Sequence, residues 1–245
     1  MSWKDNLVTG KQALPPRICI FGGHGIGKST IASKFPSPIF ISTEDGLASL
    51  DVTSFPRAES VADVAQNIKT LIKEEHDFRT VVLDTADWLV EPLIVQDVES
   101  KHDAKELAYG KGQIMIAETF REMLSGFDVL RRKRDMNIVI LAHSAITRYD
   151  DPRSEPYDRC QPKLPTRCNA LLQEWVDVLA FAGFRIIVKK AEVGFGNQVS
   201  RGITTGERLL HMVENPAYVA KNRYACPDTI PMVYDKIVEF IPVKQ

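Results

Sequence analysis

A chain of 245 residues with 44% hydrophobic content can bury one sizeable α/β core and is too short to argue for two full domains. Its 31 Lys and Arg nearly cancel its 32 Asp and Glu, which excludes the global basic field of a nucleic-acid coat protein and confines any nucleic-acid contact to a local patch. The four cysteines show no Cys-x-x-Cys spacing and the five histidines do not sit near them at ligand intervals, which argues against structural zinc. No apolar run approaches the ~20 residues that span a bilayer, and residues 1–5 carry no signal-peptide stretch, so the expected setting is the cytoplasm with no membrane contact.

Pro15-Pro16 closes an N-terminal tail, residues 1–16, and the core begins at Arg17. Residues 17–21, Arg-Ile-Cys-Ile-Phe, predict a buried strand in which Cys19 acts as a small apolar side chain. The strand leads into residues 22–29, Gly-Gly-His-Gly-Ile-Gly-Lys-Ser, a complete P-loop. Gly22 and Gly27 let the backbone curl with its amides inward, and the helix that follows directs its positive end to the same point. Gly23, His24, Gly25 and Ile26 complete a cradle for a triphosphate such as ATP. Lys28 serves as a point charge for the β- and γ-phosphates, Ser29 as a Mg²⁺ ligand, and Thr30 carries the helix onward. His24 occupies a free position of the loop, where a solvated and a phosphate-touching imidazole fit equally well.

Residues 38–43 predict a second strand that ends at Glu44-Asp45-Gly46. Apolar residues at helical spacing follow over 60–75, with Ser60 as N-cap. Residues 80–85 form a strand ending in Asp84, a helix starts near Ala86, and another spans 113–132 after the polar, glycine-ended segment 101–112. Residues 137–142 are the next strand, expected to run out at His143-Ser144. Alternation of this kind implies a mostly parallel central sheet with helices on both faces, with function at the carboxyl ends of its strands. The P-loop, Glu44, Asp84 and His143 all fall there. Beyond Ala145 the pattern weakens: residues 150–165 read as a polar loop, and 178–182 and 185–188 as apolar runs parted by Gly183. A hairpin is expected over 186–213 and a helical stretch over 232–240. The expected organisation is a single domain, a P-loop core over 17–184 with a β-rich C-terminal extension over 185–245.

Asp84 suits a metal-holding Walker B carboxylate, against the alternative of a plain helix cap. Glu44 suits a general base that orients water toward a γ-phosphate, against an exposed turn acid. His143 suits a γ-phosphate sensor, against a structural histidine. The run Arg131 to Arg134 is read as charge that favours a helix C-terminus rather than as a nucleic-acid patch. Arg148, Arg153, Arg159, Lys163 and Arg167, with Tyr149 and Tyr157 among them, could stack bases and track phosphates. Four acids dilute that stretch, which leaves DNA contact and a solvated loop evenly matched.

With these residues placed, the chain resembles the RecA-type recombinase core, and more closely the compact phage RecA-like ATPases linked to single-strand annealing, over most of residues 17–184. The resemblance implies that Phe40-Ile41-Ser42-Thr43-Glu44 ends in a catalytic glutamate and that Val82-Leu83-Asp84-Thr85 is the Walker B strand. It also implies that 101–111 and 148–163 bind single-stranded DNA. Residues 220–227, Ala-Lys-Asn-Arg-Tyr-Ala-Cys-Pro, resemble the family's basic segment that reaches a neighbour's ATP, which implies a homo-oligomer in which Lys221 and Arg223 act in trans. Three departures stand against this pattern. His143 takes the place of a customary glutamine, the tail before Arg17 is short for a polymerisation module, and the chain ends at Gln245 without room for a separate DNA-gathering domain. The implied function is an ATP- and Mg²⁺-dependent ATPase that couples nucleotide state to single-stranded DNA in phage recombination or replication. A small-molecule kinase, and an assembly switch or loader without DNA, remain as alternatives.

Overall fold

Short, uniformly buried runs punctuated by amphipathic helices build a sheet whose two faces are covered very differently. The computed structural model describes residues 7, 9, 10, 14–193 and 197–245, so most of the expected N-terminal tail lies outside the described residues. The chain runs through β1 (Arg17–Gly22), α1 (Lys28–Ala32), β2 (Pro38–Ser42), β3 (Thr53–Ser54), α2 (Val61–Lys73) and β4 (Thr80–Asp84). There follow α3 (Ala86–Trp88), a π-helical stretch (Leu89–Ile94) around Pro92, α4 (Val95–Lys101), α5 (Lys111–Lys133), β5 (Asn137–Tyr149), β6 (Tyr157–Pro162) and α6 (Thr166–Trp175). The chain ends with β7 (Val178–Val193), β8 (Asn197–His211), β9 (Lys221–Asn222), β10 (Thr229–Pro231) and α7 (Tyr234–Val238).

The sheet order is β10-β8-β7-β1-β5-β4-β2-β3, with the stretch from β7 to β3 parallel. Strand β5 is therefore inserted between the P-loop strand β1 and the Asp84 strand β4. Strand β2, which leads to Glu44, lies beyond β4 and is separated from the P-loop strand by β5 and β4.

Alternate side chains of each strand enter two apolar layers, as a period of two requires. Cys19, Phe21, Ile41, Leu83 and Ile140 face a layer that includes Leu71 of α2, Phe120 and Phe127 of α5 and Leu172 of α6. Ile18, Ile20, Phe40, Val82 and Leu141 face the other, which is filled by Ile31, Phe35, Ile230, Ile237 and Ile241. The C-terminal residues thus supply much of the second face. Helix α2 starts as expected: Ser60 Oγ accepts from the Asp63 amide while the Asp63 carboxylate accepts from the Ser60 amide, a reciprocal cap of about 1 kcal/mol. The basic run ends α5, and Arg131 and Arg134 turn inward. Arg134 donates to the carbonyls of Leu71, Ile72 and Glu74 at the end of α2.

Three segments depart from the expected pattern. β5 does not stop at His143: residues 137–143 are buried between β1 and β4, and the strand continues to Tyr149 by pairing antiparallel with β6. Residues 150–165 thus contain a strand, β6, whose polar composition fits its half-buried setting. Helix α6 was not legible in a stretch with four polar residues among its first eight positions; β7 passes through Gly183 unbroken because β8 pairs with both sides of it.

Candidate active site

Gly22 ends β1 in register with His143 on one side and Ala182 on the other. A side chain at Gly22 would strike the Ala182 carbonyl, so glycine is required there by packing rather than by an unusual turn. Gly27, with φ +98°, does take the left-handed conformation and caps α1. Helix α1 is five residues long, so the cradle rests on the loop and first-turn amides more than on a long helix dipole. Lys28 is buried and folds back over the loop, donating to the carbonyls of Gly22 (3.2 Å) and Gly23 (3.0 Å). Burial holds its ammonium pKa below the ordinary range, against the pull of Asp84, Asp87 and Glu44.

Ser29 Oγ donates to Asp84 Oδ2 at 2.7 Å. Asp84 Oδ1 is buried and has no hydrogen-bond partner among the described residues. Burial raises the Asp84 carboxyl pKa despite the Ser29 bond and the Lys28 charge. A buried carboxylate with one unsatisfied oxygen beside a serine hydroxyl fits a hard divalent cation such as Mg²⁺.

Glu44 reaches the same cavity from the loop after β2. Thr43 fixes that loop: its hydroxyl donates to the Thr85 carbonyl (2.8 Å) and accepts from the Thr85 amide (2.9 Å), while its amide donates to the Asp84 carbonyl (2.8 Å). Ser42 Oγ adds a bond to the Glu44 carbonyl. Glu44 is partly buried, and that burial raises its pKa.

His143 is buried beside this group. Its Nδ1 donates to Asp87 Oδ2 (2.8 Å), its amide donates to Asp87 Oδ1 (2.9 Å), and its Nε2 stands 4.0 Å from Glu44 Oε1. Burial alone would raise the Asp87 pKa, but the two bonds from His143 bring it below its usual value. The expected sensor is thus oriented by a buried carboxylate, the arrangement that fixes an imidazole tautomer. His24 stacks on it, ring centroids 4.0 Å apart, and its pKa is lowered first by the charge of His143 and then by burial.

His24, Gly25, Gly27, Lys28, Ser29, Thr30, Glu44, Asp84 and His143 thereby line one cavity of about 390 Å³. Ile26 is buried under the loop, and Gly23 supplies a carbonyl to Lys28. Sequence reasoning missed Thr43 and Asp87. The only trace of Asp87 is its position three residues after Asp84, on the first turn of α3, where it meets a strand remote in sequence.

Lys221 and Arg223 do not approach this chain's own P-loop. They lie at the amino ends of β1 and β7, where Lys221 donates to the carbonyls of Gln173 (2.8 Å) and Glu174 (3.0 Å) and Arg223 pairs with Asp177 (3.1 Å). Their nearest chemistry within the chain is structural.

No group of three or more His, Cys, Asp and Glu side chains placed to hold a metal occurs among the described residues, and no described helix is long and apolar enough to cross a membrane. No curated protein matches this sequence. A family model described as an AAA domain matches residues 14–224, which takes in the P-loop, Glu44, Asp84 and His143. The mostly parallel sheet, the P-loop at the end of β1 and this match together place the chain in the AAA domain family, P-loop proteins of the nucleotide-binding ATPase type.

Proposed function

We propose that the protein hydrolyses ATP and uses the nucleotide state to control binding to single-stranded DNA, as the phage RecA-like ATPases that it resembles would do in recombination or replication. The reading is carried by one observation: Lys28, Ser29, Glu44, Asp84 and His143, drawn from β1, β2, β4 and β5 or the loops that follow them, line a single cavity. ATP would lay its β- and γ-phosphates on the loop, and Lys28 would exchange its carbonyl partners for phosphate oxygens. A water oxygen attacks the γ-phosphorus in line as the bond to the β–γ bridging oxygen breaks, and Glu44 takes the water's proton. Burial raises the basicity that this step needs. Mg²⁺ held by Ser29 and Asp84 would supply further neutralisation of the phosphate charge. His143, held by Asp87, stands where it can feel the γ-phosphate come and go.

The shape of β5 supports the coupling to DNA. One strand carries His143 at the cavity and then leaves the core as the exposed β5–β6 hairpin. There Tyr149 and Tyr157 pack together and the Arg159 guanidinium lies 3.7 Å from the centre of the Tyr149 ring, with Ile146 and Arg148 in solvent. Before α5, Tyr109 is fully exposed next to Gly110. The exposed Tyr109, and the half-buried Tyr149 and Tyr157 with exposed Arg148 nearby, suit stacked bases and a phosphate backbone. In a head-to-tail assembly the amino edge of one sheet, with the half-exposed Arg223, would face the carboxyl edge of the next, which supports completion of the ATP site in trans by Lys221 and Arg223.

Hydrolysis measured with and without single-stranded DNA tests the coupling: stimulation is expected, and an unchanged rate with no DNA retained on a filter would overturn it. Mixing Arg223→Ala with Glu44→Ala subunits should restore part of the activity. A mixture as inactive as either variant alone counts against the trans arrangement.

A further inference from the structure

Each of the four cations between Ala145 and Lys163 is already held by a carboxylate. Arg148 lies 3.7 Å from Asp150, and Arg153 grips Asp151 through Nε (3.0 Å) and Nη2 (3.1 Å), so these two pairs stay within the hairpin. The other two tie the hairpin to the body of the protein: Lys163 reaches Glu91 of the π-helical stretch (3.1 Å), and Arg159 reaches Glu214, just after β8 (2.8 Å). A face suited to a phosphate backbone is therefore charge-neutralised by the chain's own acids.

Arg159 stands apart from the other three because it is stacked and sheltered. It sits opposite Thr147 in the β5–β6 ladder, which makes Tyr149 its diagonal neighbour on the same face, under the guanidinium. Its side chain is 14% exposed, against 66%, 85% and 50% for Arg148, Arg153 and Lys163. The Glu214 side chain is 56% exposed, so the cation is built into the hairpin while the acid rests on its edge. A tight turn delivers that acid: Asn215 and Tyr218 exchange backbone bonds of 3.2 Å in both directions, and Asn215 Oδ1 accepts from the Ala217 amide (2.8 Å). The chain then runs beside β6, where the Cys160 amide donates to the Ala217 carbonyl (2.8 Å) and the Val219 amide donates to the Cys160 carbonyl (3.0 Å). Glu214 is thus positioned on Arg159 without being buried there. A carboxylate and a phosphate take the same N–H···O bonds from a guanidinium.

We propose that Glu214 is an internal stand-in for a nucleic-acid phosphate: it occupies the anion position on Arg159, and single-stranded DNA displaces it to use the Arg159–Tyr149 platform. The inference rests on the DNA reading of the hairpin given above and adds how that face is held in check. Exchanging one anion for another gains little by itself. A free phosphate is therefore disfavoured, and a strand that also stacks bases on Tyr149 and Tyr157 is selected. The displaced Glu214 side chain, already half in solvent, returns to water.

The test is the affinity for a fluorescein-labelled oligothymidylate, read by anisotropy at low salt. Glu214→Gln removes the charge but keeps the shape of an exposed side chain, and should tighten binding by about three- to fivefold. In an Arg159→Gln background the same substitution should change affinity by less than about 1.5-fold, because no cation is left to release. Glu155→Gln, which removes an exposed acid elsewhere in the hairpin, is a second control that leaves the Arg159 packing intact, and its gain should be at most half that of Glu214→Gln. A gain of equal size from Glu155→Gln, or one that persists without Arg159, reduces Glu214 to general repulsion and overturns the stand-in. Wild-type binding with no gain in Glu214→Gln overturns the stand-in and leaves the DNA reading in place. No binding by either the wild type or Glu214→Gln overturns the DNA reading and the stand-in with it.

Discussion

Two buried aspartates stand at opposite edges of the same sheet and are treated in opposite ways. Asp177, at the amino edge, receives Arg17 through the backbone amide (3.0 Å), Nε (3.3 Å) and Nη2 (3.0 Å), Arg131 (3.1 Å) and Arg223 (3.1 Å). Around it Arg17 also pairs with Asp128 and lies 5.0 Å from the Trp175 ring centre, and the Trp175 indole donates to Asp128. Asp84, at the carboxyl edge, has among the described residues a single serine for one oxygen and nothing for the other. Burial pushes both carboxyls upward, but the arginine bonds bring Asp177 below its usual value whereas Asp84 stays above it. A carboxylate that only holds the fold together has its bonding capacity filled. One that is to receive a ligand is left short, at a cost to stability that the rest of the core offsets.

The comparison breaks most visibly at Lys28. Lys28→Ala should reduce ATP hydrolysis by ~10³-fold or more, to the limit of a phosphate-release assay, and a variant with unchanged turnover would sink the assignment of the loop. At the other edge Asp177→Ala leaves Arg131 buried without its counter-charge and Arg17 with Asp128 alone. It should cost ~3–5 kcal/mol in urea denaturation, and a loss under about 1 kcal/mol would show the node to be ornamental. Asp84→Asn sharpens the contrast: hydrolysis should fall ~10²-fold while the same denaturation curve stays within about 1 kcal/mol of wild type or moves to higher stability, since a buried charge is removed. Equal destabilisation by the two aspartate substitutions would erase the distinction drawn here.

The smallest effect is in the pH dependence. Asp177 has a folded pKa below the ordinary 3.8, so its stabilisation is fully present above that value and is lost as pH falls through the folded pKa. Stability measured between about pH 5 and pH 2 should therefore decline less steeply in Asp177→Asn than in wild type. Parallel slopes would mean that the arginine cluster does not favour the ionised form.

Much of the carboxyl edge was legible in the sequence. Local patterns report it directly: an apolar run before a glycine-rich loop, then buried runs that lead to Glu44, Asp84 and His143, although β5 continues past His143 to Tyr149. What escaped reading depends on contacts distant along the chain. Asp87 matters because it meets His143 from 56 residues away, and Arg17 and Asp177 are 160 residues apart. Polar side chains in β6 and α6 hid those elements because both are partly exposed, so burial leaves a weak periodic trace. Lys221 and Arg223 show the reverse hazard: a basic pair near a proline reads the same whether it caps α6 and neutralises Asp177 or waits for a neighbour.

Motif spacing and burial periodicity are local and survive without knowledge of neighbours, so the order of residues alone reveals a P-loop protein with a parallel sheet and the charged groups that follow its buried runs. Contacts between distant segments set the rest: β5 separates β1 from β4, Thr43 anchors the Glu44 loop to Thr85, Asp87 holds His143, and C-terminal residues such as Ile230, Ile237 and Ile241 fill the second face. Strand order and the filling of a face are settled by which apolar surfaces find each other, a competition between segments that no single window of sequence contains.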